Sequence, residues 1–219
     1  MQGTPAVTHL PEPGHLRERT KLINPAGYST QPPPSDRPVR IFVHGVFDLF
    51  HAEYYFAPIY ITAVSATHVH FLKVTKNIFP ETYLIAGVTT DNDTLRVKGL
   101  TVISAASRAE VVRGCKYVDE VVQDCEPVLT PEFMKERQID YFAHSDTVEP
   151  DPYRFVKEDG KFLVVPRVKD GESTTQIISR VLRNRDKYVL RQLKNGASLK
   201  DMKITWLKLQ WIKICSKVA

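Results

Sequence analysis

The stretch Arg40-Ile41-Phe42-Val43-His44-Gly45-Val46-Phe47-Asp48-Leu49-Phe50-His51 reads as a buried strand from Val39 to Val43, a glycine turn, and an apolar segment closing on a histidine. In an open α/β sheet this is the order in which a first βα loop is offered to a nucleotide. Gly45 lets the backbone turn, or approach a phosphate where a Cβ would clash, and His51 is a hydrogen-bond donor near neutral pH placed beside it. Taken alone, the same residues also describe an ordinary strand ending in glycine with a structural histidine.

Outward from this stretch, strands and helices alternate. A helix ends near Asn77-Ile78-Phe79-Pro80, and an apolar strand follows from Tyr83 to Val88. Ser104 caps a helix to about Gly114, a strand covers Glu120 to Gln123, and Thr130-Pro131-Glu132 opens a further helix leading to the strand Tyr141 to His144. A helix over about 152–158, a strand at Phe162 to Val165 and a helix opened by Ser173-Thr174 complete the pattern. Such alternation predicts a Rossmann-like α/β fold, an open parallel sheet with helices on both faces and ligands at the carboxyl ends of its strands. Residues 1–38 hold eight of the fifteen prolines, with little apolar periodicity, and read as a flexible leader. The α/β domain then covers 39–185, and 186–219 form a helical C-terminal extension.

The 219 residues suffice for one good core, and 42% hydrophobic with 25% charged residues is the composition of an ordinary globular protein. A net charge of +5 suits an anionic ligand or surface without selecting among phosphates, acidic lipid and nucleic acid. Cys115, Cys125 and Cys215 are odd in number and lack metal-like spacing, which favours reduced thiols inside a cell. No signal-peptide core is present, nor a run of about 18 apolar residues.

Several strand ends carry chemistry. Lys98-Gly99 falls in the loop after the second strand, where an ammonium could reach a phosphate or remain a solvated surface lysine. His144 and Asp146 lie just past the fourth strand, as ligand groups or as a polar turn with a helix-capping aspartate. Gly171-Glu172-Ser173-Thr174-Thr175 places hydroxyls and backbone N–H groups at a helix start, where phosphate binding and simple N-capping both fit. Together these signals favour a nucleotide phosphate site.

Gly45 to His51, Lys98-Gly99-Leu100-Thr101-Val102, Cys115 to Val121, Leu129-Thr130-Pro131-Glu132-Phe133 and Ser173-Thr174-Thr175-Gln176-Ile177-Ile178 fall in the order and approximate spacing of the phosphocholine cytidylyltransferases. The resemblance runs from about Arg37 to Gly196, and a helical exit segment from Tyr188 to Ser198 also looks like that family. It implies attack of phosphocholine on the α-phosphate of CTP, giving CDP-choline for phosphatidylcholine synthesis and releasing pyrophosphate. By the same resemblance His51, His68 and Lys98 are catalytic. Gly45, Phe47, Asp48, His144, Arg167, Gly171, Ser173, Thr174 and Thr175 hold CTP, and Asp146 and Tyr153 hold the acceptor. Magnesium is expected with CTP, though no dedicated metal cage is visible in the sequence. A homodimer is implied, with the segment around Tyr117 to Val121 as its contact, and the location is cytoplasmic, with membrane-peripheral or nuclear placement open. No nucleic-acid partner is expected.

The chain also departs from that pattern. The family's His-x-Gly-His motif continues here as His51-Ala52-Glu53-Tyr54, and family spacing resumes at His68, so His68 looks like the second motif histidine. The uncharged insert between them, about 53–67, reads as a fragment of translated intron, a genuine surface loop, or the mark of a paralogue without activity. Pro127, Ser145 and Glu149 stand where the family's tryptophan, acid and tyrosine around choline are expected, leaving Tyr153 as the remaining aromatic wall for a quaternary ammonium. A weaker cage keeps phosphoethanolamine open as the acceptor, and a binding paralogue open as a different class of function. Between Lys200 and Ala219 five lysines and one acid accompany Ile204, Leu207, Trp211, Ile214 and Val218 at helical spacing. That pattern fits a helix on an anionic membrane surface or a helix packed on the domain.

Overall fold

A computed structural model describes residues 23–50, 67–126, 128–145, 151–166 and 173–218. His51, Asp146, Arg167, Gly171 and all of the insert except Thr67 lie outside the described residues.

The elements run β1 (Val39–Gly45), α1 (Thr67–Lys76), β2 (Thr82–Thr89), α2 (Asp91–Val97), α3 (Ala105–Arg113), β3 (Glu120–Cys125), α4 (Pro131–Glu136), β4 (Tyr141–His144), α5 (Arg154–Glu158), β5 (Phe162–Val164), α6 (Thr174–Arg183), α7 (Arg185–Lys194) and α8 (Trp206–Val218). The five strands form one sheet in the order β3-β2-β1-β4-β5, parallel throughout. The winding reverses between β1 and β4. In an open α/β sheet that reversal opens a crevice at the carboxyl ends of the two strands, which is where ligands bind.

The sequence explains the sheet. Ile41, Phe42 and Val43 of β1 and Leu84, Ile85, Ala86 and Val88 of β2 are almost wholly buried, because both faces of a central parallel strand are covered. Ser104, Thr130 and Ser173 cap α3, α4 and α6 by accepting from the N–H groups of Ser107, Phe133 and Gln176. Sequence reading did not anticipate α2. This seven-residue helix is opened by Thr90, whose side chain accepts from the Asp93 N–H, and it closes on Lys98, followed by Gly99 at φ +99°. Lys98 is therefore the C-cap of α2, the first residue after the helix.

The chain divides into two compact units. Among the described residues the first takes 23–47 and 71–166, and the second takes 48–50, 67–70 and 173–218. In the first unit, residues 23–38 differ from the expected flexible leader. The Gln31 N–H donates to the Gly160 carbonyl and the Val164 N–H to that of Ile23, while the Tyr141 hydroxyl donates to the Gln31 carbonyl. Arg37 forks onto Asp140 through two 2.7 Å bonds. Gly160 sits at φ +65°, and a Cβ there would come within 2.9 Å of the Ser29 carbonyl oxygen, so glycine lets this strap lie against the sheet edge. Prolines deny the segment a helix, but they do not stop its remaining carbonyls and N–H groups from pairing with an edge strand. In the second unit α7 packs on α8, with Val189, Leu209 and Ile212 buried.

One side chain ties the carboxyl edge of the first unit together. Arg108 of α3 is fully buried, and its guanidinium donates to the carbonyls of Val46, Thr89 and Ile103 and to Asp91. The Asp91 carboxyl is held below the usual range, chiefly by the Ala105 N–H and then by Arg108. Arg108→Met leaves buried carbonyls without donors and is expected to lower the unfolding free energy by about 3 kcal/mol. The measurement is the urea midpoint; a loss below about 1 kcal/mol would show that water replaces the guanidinium at little cost.

Candidate active site

In the first unit, β1 ends at His44-Gly45 and β4 at His144, side by side in the sheet. Phe42 and His44 share one face of β1, and Phe142 and His144 share the same face of β4. Their rings stack in pairs, with centroids 6.5 Å apart for Phe42–His44 and 5.8 Å for Phe142–His144. Tyr153 packs against Phe142 at 4.6 Å and against His144 at 5.2 Å, and is itself buried in the core. Its ring surface is thus largely spent on protein neighbours rather than standing open as a wall for a cation. Lys98 joins this edge from the end of α2, where its charge acts on His44. After β1 the backbone is strained: Phe47 and Leu49 adopt positive φ of 54° and 50°, and the Phe47 ring lies over Gly45.

Sequence reading did not single out His44. Its Nε2 is buried with no hydrogen-bond partner among the described residues. Burial first, then Lys98 and His144, push the ring down to about 4 against the opposing pull of the Glu126 backbone. At neutral pH it is an uncharged imidazole. The clue lay in the quoted stretch, where a histidine ends an otherwise apolar buried strand. His144, by contrast, donates from Nδ1 to the Ser145 carbonyl.

The second unit holds the remaining candidates. Ser173 and Gln176 form a reciprocal capping box at the start of α6, the Ser173 Oγ accepting from the Gln176 N–H and the Gln176 Oε1 from the Ser173 N–H. The Thr174 hydroxyl donates to the Asp48 carbonyl at 3.1 Å, so that hydroxyl is engaged in fixing the helix start. What this terminus offers an anion is the Ser173 O–H and the backbone N–H groups of Thr174 and Thr175 in the first turn. Asp48 is buried and its carboxylate accepts from the Leu49 N–H, while His68 packs against Phe50 with ring centroids 6.0 Å apart. Among the described residues no group of three or more His, Cys, Asp or Glu side chains is placed to hold a metal ion. The groups gathered at the carboxyl edge are a lysine and imidazoles, a donor set that does not suit a hard oxygen-seeking cation such as magnesium.

Because His44 titrates near 4 when folded and near 6.5 when unfolded, the unfolded chain binds the proton first as pH falls. Stability is complete above about pH 6.5 and is expected to drop by about 2–3 kcal/mol on the way to pH 4. Denaturation midpoints at pH 7 and pH 4.5 should show a clearly smaller drop in His44→Gln; equal drops in the two proteins would assign the acid sensitivity elsewhere.

Residues 63–197 match the family model described as Cytidylyltransferase-like. The choline-phosphate cytidylyltransferase of Saccharomyces cerevisiae is 38% identical over 198 residues, covering 88% of this chain and 43% of that protein. The probable choline-phosphate cytidylyltransferase of Schizosaccharomyces pombe is 39% identical over 202 residues, covering 90% and 51%. The ethanolamine-phosphate cytidylyltransferase of Dictyostelium discoideum is 29% identical over 151 residues, covering 67% and 37%. The chain spans about half the length of the curated relatives it matches. With its parallel sheet, its switch point between β1 and β4 and its family match across more than half of its residues, the chain belongs to the cytidylyltransferase-like family.

Proposed function

We propose that the protein transfers a cytidylyl group from CTP to phosphocholine, making CDP-choline for phosphatidylcholine synthesis. The observation that carries this reading is the gathering of Lys98, His44 and His144 at the carboxyl edge of β1 and β4, in a chain 38–39% identical to choline-phosphate cytidylyltransferases. A phosphomonoester oxygen of the acceptor forms a bond to the α-phosphorus. The bond from that phosphorus to the bridging oxygen breaks, and pyrophosphate leaves with the electron pair. No covalent enzyme intermediate is needed, so the protein contributes position and charge. Lys98 supplies a fixed positive charge near the developing negative charge. CTP enters as its magnesium complex, with the ion carried by phosphate oxygens and water in preference to a protein cage. The working form is a homodimer in the cytoplasm.

The test is pyrophosphate release by the full chain with CTP and phosphocholine. Lys98→Ala is expected to reduce kcat by about a hundredfold while leaving the thermal melt in place. Absence of choline-dependent release from the wild-type protein would overturn the reading.

A peripheral membrane association is favoured by α8. Leu209 and Ile212 make its buried contacts, while Leu207, Trp211 and Ile214 are 74%, 61% and 58% exposed alongside Lys208 and Lys213. An exposed apolar stripe flanked by lysines suits an anionic lipid surface. No described helix is long and apolar enough to cross a membrane. Co-sedimentation with phosphatidylserine vesicles is expected at low salt and lost at high salt; no binding at low salt, or binding indifferent to salt and to Trp211→Ala, would contradict it.

A further inference from the structure

At the start of α5 the first unit holds an ion pair, largely out of water, that the transfer chemistry does not use. Lys157 Nζ lies 2.7 Å from Asp151 Oδ2, and the two side chains are 7% and 12% exposed. The same Nζ sits 5.0 Å from the centre of the Phe162 ring, which belongs to the core. Taking an ammonium and a carboxylate out of water is costly, and apolar side chains of the same volume often fill such a place at equal or better stability. The pair is therefore better explained by what it holds in place than by the energy it contributes.

What it holds is Tyr153. The other carboxylate oxygen, Asp151 Oδ1, accepts from the Tyr153 N–H at 3.0 Å, and the Lys157 N–H donates to the Tyr153 carbonyl at 3.1 Å. The ion pair closes this into a ring, with the peptide groups on both sides of Tyr153 tied to its two members. With five residues, α5 is too short to fix its own first turn. The Tyr153 ring lies 5.2 Å from the His144 ring, and Phe142 stacks on His144 at 5.8 Å. His144 is the last residue of β4, so its imidazole is set between a strand neighbour and a tyrosine whose backbone is clamped.

We propose that Asp151 and Lys157 are positioning residues: their ion pair fixes the start of α5 and, through the Tyr153 ring, holds His144 in place at the carboxyl edge of β4. This rests on the cytidylyl-transfer reading, in which His144 is expected on the nucleotide, and adds to it the device that sets that side chain. Neither member of the pair acts by touching substrate.

The experiment compares the wild-type full chain, Asp151→Asn/Lys157→Met, and Lys157→Arg as the conservative variant. It reads the melting temperature, kcat and KM for CTP at saturating phosphocholine, and the His144 imidazole signals in nitrogen-edited NMR, assigned by their loss in His144→Gln. The double variant removes both charges together and is expected to melt within a few degrees of wild type. Its His144 signals shift, and KM for CTP rises roughly tenfold while kcat changes less. Lys157→Arg keeps the cation and restores most of both. Wild-type signals or a wild-type KM in the double variant would overturn the proposal. A large fall in its melting temperature would do the same, because the pair would then be a stabilising contact only. If wild type releases no pyrophosphate, the catalytic reading falls by itself and the imidazole signals decide. Signals shifted in a double variant that melts like wild type, and restored in Lys157→Arg, uphold the pair as a positioning device; any other pattern overturns it.

Discussion

The guanidinium of Arg108 is the contact on which the carboxyl edge of the sheet depends. Parallel strands leave their last carbonyls without ladder partners, and here the carbonyls after β1 and at the end of β2 are both met by this one buried cation. The same group reaches the Ile103 carbonyl before α3 and the Asp91 carboxylate at the start of α2. Only a planar fork with five donors can serve so many acceptors at once, and a lysine would leave most of them bare. The chain segments that carry His44 and Lys98 are therefore positioned by a residue that belongs to neither.

That edge is electrostatically one-sided. Lys98 and His144 both act to keep His44 uncharged, and burial adds to their effect. A neutral imidazole beside a lysine lets the site hold an anion without the ring competing for it. The strained residues Phe47 and Leu49 follow directly. Backbone strain of this kind persists only where surrounding contacts over-determine it, and it gathers at ligand-binding loops. Within the second unit, the bond from Thr174 to the Asp48 carbonyl fixes the start of α6 to the segment that follows β1.

Much of this was legible beforehand. The strands β1, β2 and β4 were visible because fully buried parallel strands are continuous apolar runs, and α3, α4 and α6 because Ser104, Thr130 and Ser173 are strong N-caps. The helix α2 escaped because it is short, polar and stabilised by Thr90 and Asp93 at its first turn rather than by an apolar face. The strap 23–38 escaped because its contacts are backbone hydrogen bonds to distant residues, and composition carries no trace of those. In α8 the helical spacing of Leu207, Trp211 and Ile214 was visible, but the buried contacts fell to Leu209 and Ile212. An amphipathic pattern tells that a helix has an apolar side, and packing decides which residues are covered.

By itself the sequence determined the fold class, the strand and cap positions and the family, because these follow from local periodicity, capping chemistry and ordered motifs. Only the tertiary structure decided that Lys98 caps the end of a helix, that the Thr174 hydroxyl is engaged by a backbone carbonyl, that Tyr153 belongs to the core, and that His44 is a neutral imidazole with an unpaired, buried Nε2. Each of those depends on which groups distant in the chain are brought within a few ångströms. The state of a polar side chain is set by its neighbours in space: burial removes water as a partner, and whatever donor or charge stands nearby takes its place.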